Sequence, residues 1–241
     1  MNDRDSFWHA YFSGLHGRHD LESAKRVGMS NDRVTAQEYA LVIESCGVLA
    51  EKRALDVGCG LGPLARGLHA LGAHVHGIDY VDTTIEALRQ SDPTIEWSQE
   101  DISQPTAVLL NRRYDIVCAC EVLQHVDPNE TLRMLWGLLA PGGRLVGFVP
   151  NAACPIVQRV EKHYSGTYRG ISSPTLANLA MQLPDVAVAV IRGASFQPEQ
   201  TVVPYAASSW QRLEAAEWSA PPNRLQFVLV RQAIAPAVPS L

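Results

Sequence analysis

The most constraining stretch of this sequence is Leu55-Asp-Val-Gly-Cys-Gly-Leu-Gly62 with its flanks. The apolar run Ala54, Leu55 and Val57 suits a buried strand. Three glycines follow at alternate positions, Gly58, Gly60 and Gly62. Leu64, Ala65, Leu68 and Leu71 then recur at three- and four-residue spacing, the mark of an amphipathic helix. A strand, a glycine turn and a helix in that order place a loop at the carboxyl end of a parallel strand, where α/β sheets bind nucleotide-like ligands. Glycine permits positive φ and lets a ligand approach the main chain.

The residues around the glycines discriminate between ligands. A dinucleotide fingerprint needs its third glycine at position 63, which is Pro63, and the carboxylate of Asp56 just ahead of the turn would repel a pyrophosphate. A ligand carrying an ammonium and a sulfonium would be attracted to it; S-adenosylmethionine is such a ligand. A second strand, His74 to Asp79, ends in an acid at the offset where a carboxylate grips ribose hydroxyls. Asp82 reads as the N-cap of a helix from Thr83 to Arg89. Ile95 to Trp97 is a weaker third strand, followed by Glu100-Asp101-Ile102, in which an acid and an aliphatic side chain suit an adenine amino group and ring face. Tyr114 to Ala119 is a buried fourth strand running into Cys120-Glu121-Val-Leu-Gln-His125-Val. A helix from Asn129 is expected to stop at Ala140-Pro-Gly-Gly143, ahead of a fifth strand from Arg144 to Val149.

These blocks together resemble the class I S-adenosylmethionine-dependent methyltransferases, nearest to the small-molecule group that includes the ubiquinone-biosynthesis O-methyltransferases. The resemblance covers roughly 53–151. It implies that Gly58 and Gly60 approach the amino-acid part of S-adenosylmethionine by their backbone with Asp56 beneath. It further implies that Asp79 holds the ribose, that Asp101 and Ile102 flank the adenine, and that Cys120 touches the cofactor mainly through its main chain. Cys59 and Tyr80, next to these residues, belong to the same expected contact set. Gln124 stands where relatives often carry Glu or His. The implied reaction is methyl transfer from S-adenosylmethionine, leaving S-adenosylhomocysteine, to a small-molecule acceptor. Oxygen of a phenol or hydroxyl is the leading acceptor atom. His125 is the candidate base, because imidazole titrates near neutral pH; Glu121 reads as a capping or orienting residue.

The rest of the chain sets expectations of fold and surroundings. The fold class expected is α/β, a doubly wound, mostly parallel seven-stranded sheet of the Rossmann-like methyltransferase kind. Residues 1–50 are expected to form an N-terminal helical lid, with an aromatic cluster (Phe7, Trp8, Tyr11, Phe12) and a helix from Thr35 to Leu49; Arg18 and Arg33 are candidates for a ligand carboxylate. Residues 51–241 form the S-adenosylmethionine-binding domain, with a substrate-side insertion around 152–173. Trp8, Tyr11, Asn151, His163, Tyr164 and Tyr168 are the substrate-side candidates. A last helix starts at Ser173 as N-cap, and strands from Val186 to Ile191 and Asn223 to Arg231 close the sheet as an antiparallel pair. The long connection 192–222 carries Tyr205, Trp210 and Trp218, and 233–241 reads as a frayed tail.

A net charge of −5 argues against a nucleic-acid surface. No apolar run reaches the roughly 18 residues of a membrane span, and five cysteines without C-x-x-C spacing fit a reducing cytoplasm. No metal site is indicated by spacing, and a homodimer is open. Two other classes stay in view, a nicotinamide-dependent oxidoreductase and a catalytically silent S-adenosylmethionine-binding subunit. A nucleic-acid methyltransferase is weaker still, for want of an Asn/Asp-Pro-Pro-Tyr-like segment after the fourth strand.

Overall fold

The computed structural model describes residues 3–20, 32–164, 168–194 and 221–233. Tyr205, Trp210, Trp218 and the tail from 234 lie outside them, as do the side chains of Trp8 and Arg33. Two helices, α1 (Asp3–His16) and α2 (Asp32–Cys46), precede β1 (Arg53–Val57), α3 (Pro63–Ala70), β2 (His74–Asp79), α4 (Asp82–Ser91) and β3 (Glu96–Gln99). There follow a short α5 (Ala107–Leu110), β4 (Tyr114–Cys120), a 3-10 turn at Leu123–His125, α6 (Pro128–Gly137) and β5 (Leu139–Pro150). The chain then forms α7 (Pro155–His163), α8 (Ser173–Met181), β6 (Val186–Ala194) and β7 (Arg224–Arg231).

The strands form one seven-stranded sheet in the order β3-β2-β1-β4-β5-β7-β6. Strands β1 to β5 pair in parallel, and β7 enters antiparallel between β5 and β6. The chain order reverses between β1 and β4, so the crevice at their carboxyl ends is where this architecture binds ligands. Side chains alternate across the sheet. Leu55, Val57, Val117 and Ala119 face a core completed by Trp136 of α6 and Leu176 of α8. Ala54, Ile116 and Cys118 face the other, completed by Val42 of α2, Leu64 and Leu68 of α3, and Ile85 of α4. Asp56 therefore points to the α2–α3 side.

Several boundaries differ from the sequence expectation: α2 runs Asp32–Cys46 against the expected Thr35 to Leu49, and β6 continues past Ile191 to Ala194. Asp82 and Ser173 are the first residues of their helices, and Val81 and Ser172 occupy the N-cap positions; the Ser172 hydroxyl accepts from the Thr175 N–H at 3.2 Å. Helix α6 stops at Gly137, and Ala140 to Gly143 belong to β5. Proline and glycine there read locally as a turn, but the Gly142 N–H donates to the Gln232 carbonyl at 3.1 Å and Arg231 donates to the Leu139 carbonyl at 2.8 Å. The pairing with the far end of the chain draws the segment into the sheet. Part of the insertion expected around 152–173 is the helix α7, Pro155–His163.

Gly147 lies between Ala119 of β4 and Phe227 of β7. A Cβ at this position would press on the Ala119 carbonyl and lie 2.7 Å from the Phe227 ring. Gly147→Ala is expected to lower the unfolding free energy by at least about 2 kcal/mol, read as a fall in the urea midpoint.

Candidate functional site

The glycine turn is positioned by the end of β2. The Cys59 N–H donates to the Ile78 carbonyl at 2.9 Å, and the Gly60 N–H donates to Asp79 Oδ2 at 2.9 Å. The other oxygen of Asp79 accepts from the Val81 N–H at 3.0 Å. Gly58 has φ 66° and a Cβ there would lie 2.8 Å from Val122, so the tight turn and the close approach both need glycine. The turn thus presents its backbone to a cleft with a cavity of about 140 Å³.

Gly58, Cys59, Gly60, Asp79, Tyr80, Asp101, Ile102, Cys120 and His125 all line that cleft. The structure therefore brings together nine of the ten residues expected to hold the cofactor or act as base. The tenth, Asp56, lies beneath the wall and is only 2% exposed. Further wall residues are Phe12 of α1 and Tyr39 of α2, from distant helices, and Glu100, Glu121 and Val126, each next in sequence to an expected residue. In the sequence Tyr39 is a plain member of α2's apolar stripe, and no signal there marks it as facing the cleft.

Among the described residues that line the cleft, the side-chain charge has one sign: Asp79, Glu100, Asp101 and Glu121 contribute carboxylates, and none of these residues is Lys or Arg. Glu100 and Asp101 are partly engaged locally, Glu100 with the Thr106 hydroxyl at 2.7 Å and Asp101 with the Ser103 hydroxyl at 2.7 Å. Burial pushes Asp56 up to about 7, with the Ala65 N–H at the start of α3 opposing it and the nearby Asp79 adding to it. Asp56 Oδ2 has no hydrogen-bond partner among the described residues. Burial also raises Asp79, against the pull of the Val81 and Gly60 N–H groups. Burial keeps the Cys59 and Cys120 thiols protonated, with Asp79 and Asp56 respectively reinforcing it. A carboxyl buried this way gains most when a cation comes to rest beside it.

The substrate-side candidates divide. The ring of Tyr168 meets His125 at 5.9 Å, and Phe12 meets the same imidazole edge-on at 5.7 Å. Tyr11 of α1 and Tyr164, just past α7, face each other at 6.2 Å, with Phe7 of α1 6.1 Å from Tyr164. Burial and the Tyr164 contact push the Tyr11 phenol up to about 12. On the opposite side of α1, His9 lies 5.6 Å from the Tyr80 ring and 3.7 Å from Asp82. His163 is exposed and stacks edge-on to Tyr164 at 4.7 Å, outside the cleft. Asn151 is buried and ties loops together: its Nδ2 donates to the Pro222 carbonyl at 2.9 Å and its Oδ1 accepts from the Ala153 N–H at 3.0 Å. Arg18 is exposed and bonded to Asp20 at 2.6 Å. Among the described residues, no group of three or more His, Cys, Asp or Glu side chains is arranged to hold a metal ion, and no helix is long and apolar enough to cross a membrane.

The sheet order and the site's placement define the Rossmann-like methyltransferase fold, and solved structures bear this out. An S-adenosylmethionine-dependent methyltransferase from Mesorhizobium loti superimposes with a TM-score of 0.60 at 20% identity, over 81% of this chain and 98% of that one. Magnesium protoporphyrin IX methyltransferase from Synechocystis, solved with bound S-adenosylhomocysteine, gives a TM-score of 0.62 at 16% identity, over 95% and 100% of the two chains. The family model described as a methyltransferase domain matches residues 35–196. This chain belongs to that methyltransferase family. Among curated sequences, the ubiquinone biosynthesis O-methyltransferase of Marinobacter nauticus is 37% identical over 103 residues, 40% of this chain. The matched region spans 43% of that relative's length, less than half.

The Asp56 carboxyl makes stability fall as pH rises. Its folded value lies above its unfolded one, so between about pH 4 and about pH 7 the folded chain keeps a proton that the unfolded chain has released. Asp56→Asn is therefore expected to be more stable than the parent at about pH 8, by a few kcal/mol at most, with the gap closing toward about pH 4. Thermal melts at the two pH values measure it.

Proposed function

We propose that this chain transfers a methyl group from S-adenosylmethionine to a small-molecule acceptor, with an oxygen of a phenol or hydroxyl as the receiving atom. The observation that carries the reading is the sign of the cleft: four carboxylates in the wall, Asp56 beneath, and no Lys or Arg among the described lining residues. A bis-phosphate dinucleotide would meet repulsion there, whereas a ligand with sulfonium and ammonium groups would be held. In this reading Gly58 and Gly60 offer backbone to the amino-acid end. The Asp79 oxygens keep free lone pairs for ribose hydroxyls beyond the N–H groups they already accept. Asp101 and Ile102 flank the base, and Cys59, Tyr80 and Cys120 complete the wall.

When bound, S-adenosylmethionine supplies an activated methyl group whose departure needs no acid. What the protein adds is alignment, exclusion of water and a destination for the acceptor's proton. Residues 1–50 serve as a lid in this reading, with α1 and the segment around α7 meeting over the cleft through Phe7, Tyr11 and Tyr164. Phe12, His125 and Tyr168 form an aromatic flank suited to a planar acceptor. The resemblance to ubiquinone-biosynthesis O-methyltransferases supports a phenolic acceptor.

Calorimetric titration tests the reading. Wild type is expected to bind S-adenosylmethionine at micromolar concentration and to ignore NADH. Asp79→Asn is expected to weaken binding about tenfold or more while keeping a cooperative thermal melt. Binding of NADH in place of S-adenosylmethionine would overturn the reading. Binding with no methyl transfer to any member of a catechol and phenol panel, followed with a labelled methyl group, would favour the silent subunit.

A further inference from the structure

Glu121 is held in a conformation that costs the fold something. It follows the last residue of β4 and has φ 58°, one of three non-glycine residues at positive φ among those described. Strain of this kind concentrates at functional sites, where the surroundings impose it. Here its N–H donates to the Phe148 carbonyl at 3.0 Å, so the β4–β5 ladder fixes the backbone. The side chain is aimed into the cleft wall beside Cys120 and His125.

The carboxylate meets Arg224, the first residue of β7, at 2.7 Å between Oε1 and Nε. Neither of those atoms makes an aligned hydrogen bond, so the contact is chiefly electrostatic. Oε2 accepts from the Gln124 amide at 3.2 Å. The side chains of Glu121 and Arg224 are 16% and 19% exposed, with Oε1 and Nε themselves buried against each other, so Oε2 is the oxygen left to meet a ligand. A carboxylate offers about four lone-pair positions, and this one gives a single aligned bond to the protein. It retains capacity for a hydroxyl donor.

We propose that Glu121 accepts the proton of the acceptor hydroxyl, with Arg224 as its positioning residue, so that the site takes neutral phenols and not carboxylates. The assignment rests on the methyl-transfer reading and deepens it. The acceptor oxygen forms its bond to the methyl carbon as the carbon–sulfur bond breaks and its electron pair returns to sulfur. The hydroxyl proton passes to the Glu121 carboxylate, which becomes a carboxylic acid and releases that proton to solvent after the products leave. An acidic acceptor would instead place its own carboxylate against Glu121 and Asp79 of the cleft wall.

The surroundings tune this group for proton transfer. Burial pushes Glu121 up to about 7; Arg224 of β7 and the Gln124 amide draw it down, and Glu38 of α2 adds to the rise. Tyr39 of α2, Cys120 of β4 and Tyr168 also lie within its field. A base that ionises near neutral pH is matched to the pH at which it must act.

The test is binding of catechol to the complex with S-adenosylhomocysteine, followed by saturation-transfer NMR. Wild type is expected to gain roughly tenfold in catechol affinity between about pH 6 and about pH 8, as one carboxyl ionises. The gain should vanish in Glu121→Gln, persist in His125→Asn, and move to higher pH in Arg224→Gln, where the guanidinium no longer favours the anion. Should Glu121→Gln fail to fold, Glu121→Asp is expected to keep the gain with a displaced midpoint. Benzoate is expected to bind more weakly than catechol and to lose affinity as pH rises. A flat wild-type profile, a gain that survives Glu121→Gln or disappears with His125→Asn, or preference for benzoate would overturn the assignment. Failure of wild type to bind S-adenosylhomocysteine would overturn the methyl-transfer reading itself, and this assignment with it.

Discussion

The backbone N–H groups of Gly60 and Val81 converge on the buried carboxylate of Asp79, and the geometry of the whole cleft follows from that convergence. One oxygen holds the turn after β1 and the other the turn after β2, so the two loops are fixed to each other as well as to their strands. Hydrogen bonds to an ionised acceptor are roughly twice as strong as neutral ones, which offsets part of the cost of burying the charge. The glycines make the turn sterically possible; Asp79 selects one arrangement of it.

Much of this was legible in the sequence because the information is local. The glycine turn, the apolar runs of β1, β2 and β4, and the periodicity of α3 each lie within a dozen consecutive residues, and side-chain spacing reports directly on backbone geometry there. The features that were not legible join distant segments. Ala140 to Gly143 have turn-like composition and lie in β5 because Gln232 and Arg231 bond to them. Phe12 and Tyr39 enter the cleft from helices whose apolar stripes look like ordinary packing faces. Asn151 reads as a polar residue on the substrate side, but its amide is engaged by Pro222 and Ala153. The Glu121–Arg224 contact joins the end of β4 to the start of β7, and nothing in either segment alone predicts the other.

The cleft also works against the stability of its own fold. Asp56, Asp79 and Glu121 are carboxyls raised by burial, which disfavours the anion in each. A fold built only for stability would place amides or aliphatic residues there. Gathering buried carboxyls in one crevice is a cost that a cationic ligand lowers on arrival, so ligand binding and folding favour the same state. This is the usual tension between a stable core and a working site.

The strand order has a consequence for how the site comes into being. Residues 53–150 contain the glycine turn, Asp79, Asp101 and Cys120, and hence the side of the cleft assigned to the cofactor. The opposite wall is finished only when β7 inserts between β5 and β6, carrying Arg224 to Glu121. That insertion joins residues far apart along the chain, the slow kind of contact in folding. The β1–β4 side of the cleft is thus built from one continuous stretch of chain, whereas the wall at Glu121 depends on a strand that arrives from about a hundred residues later.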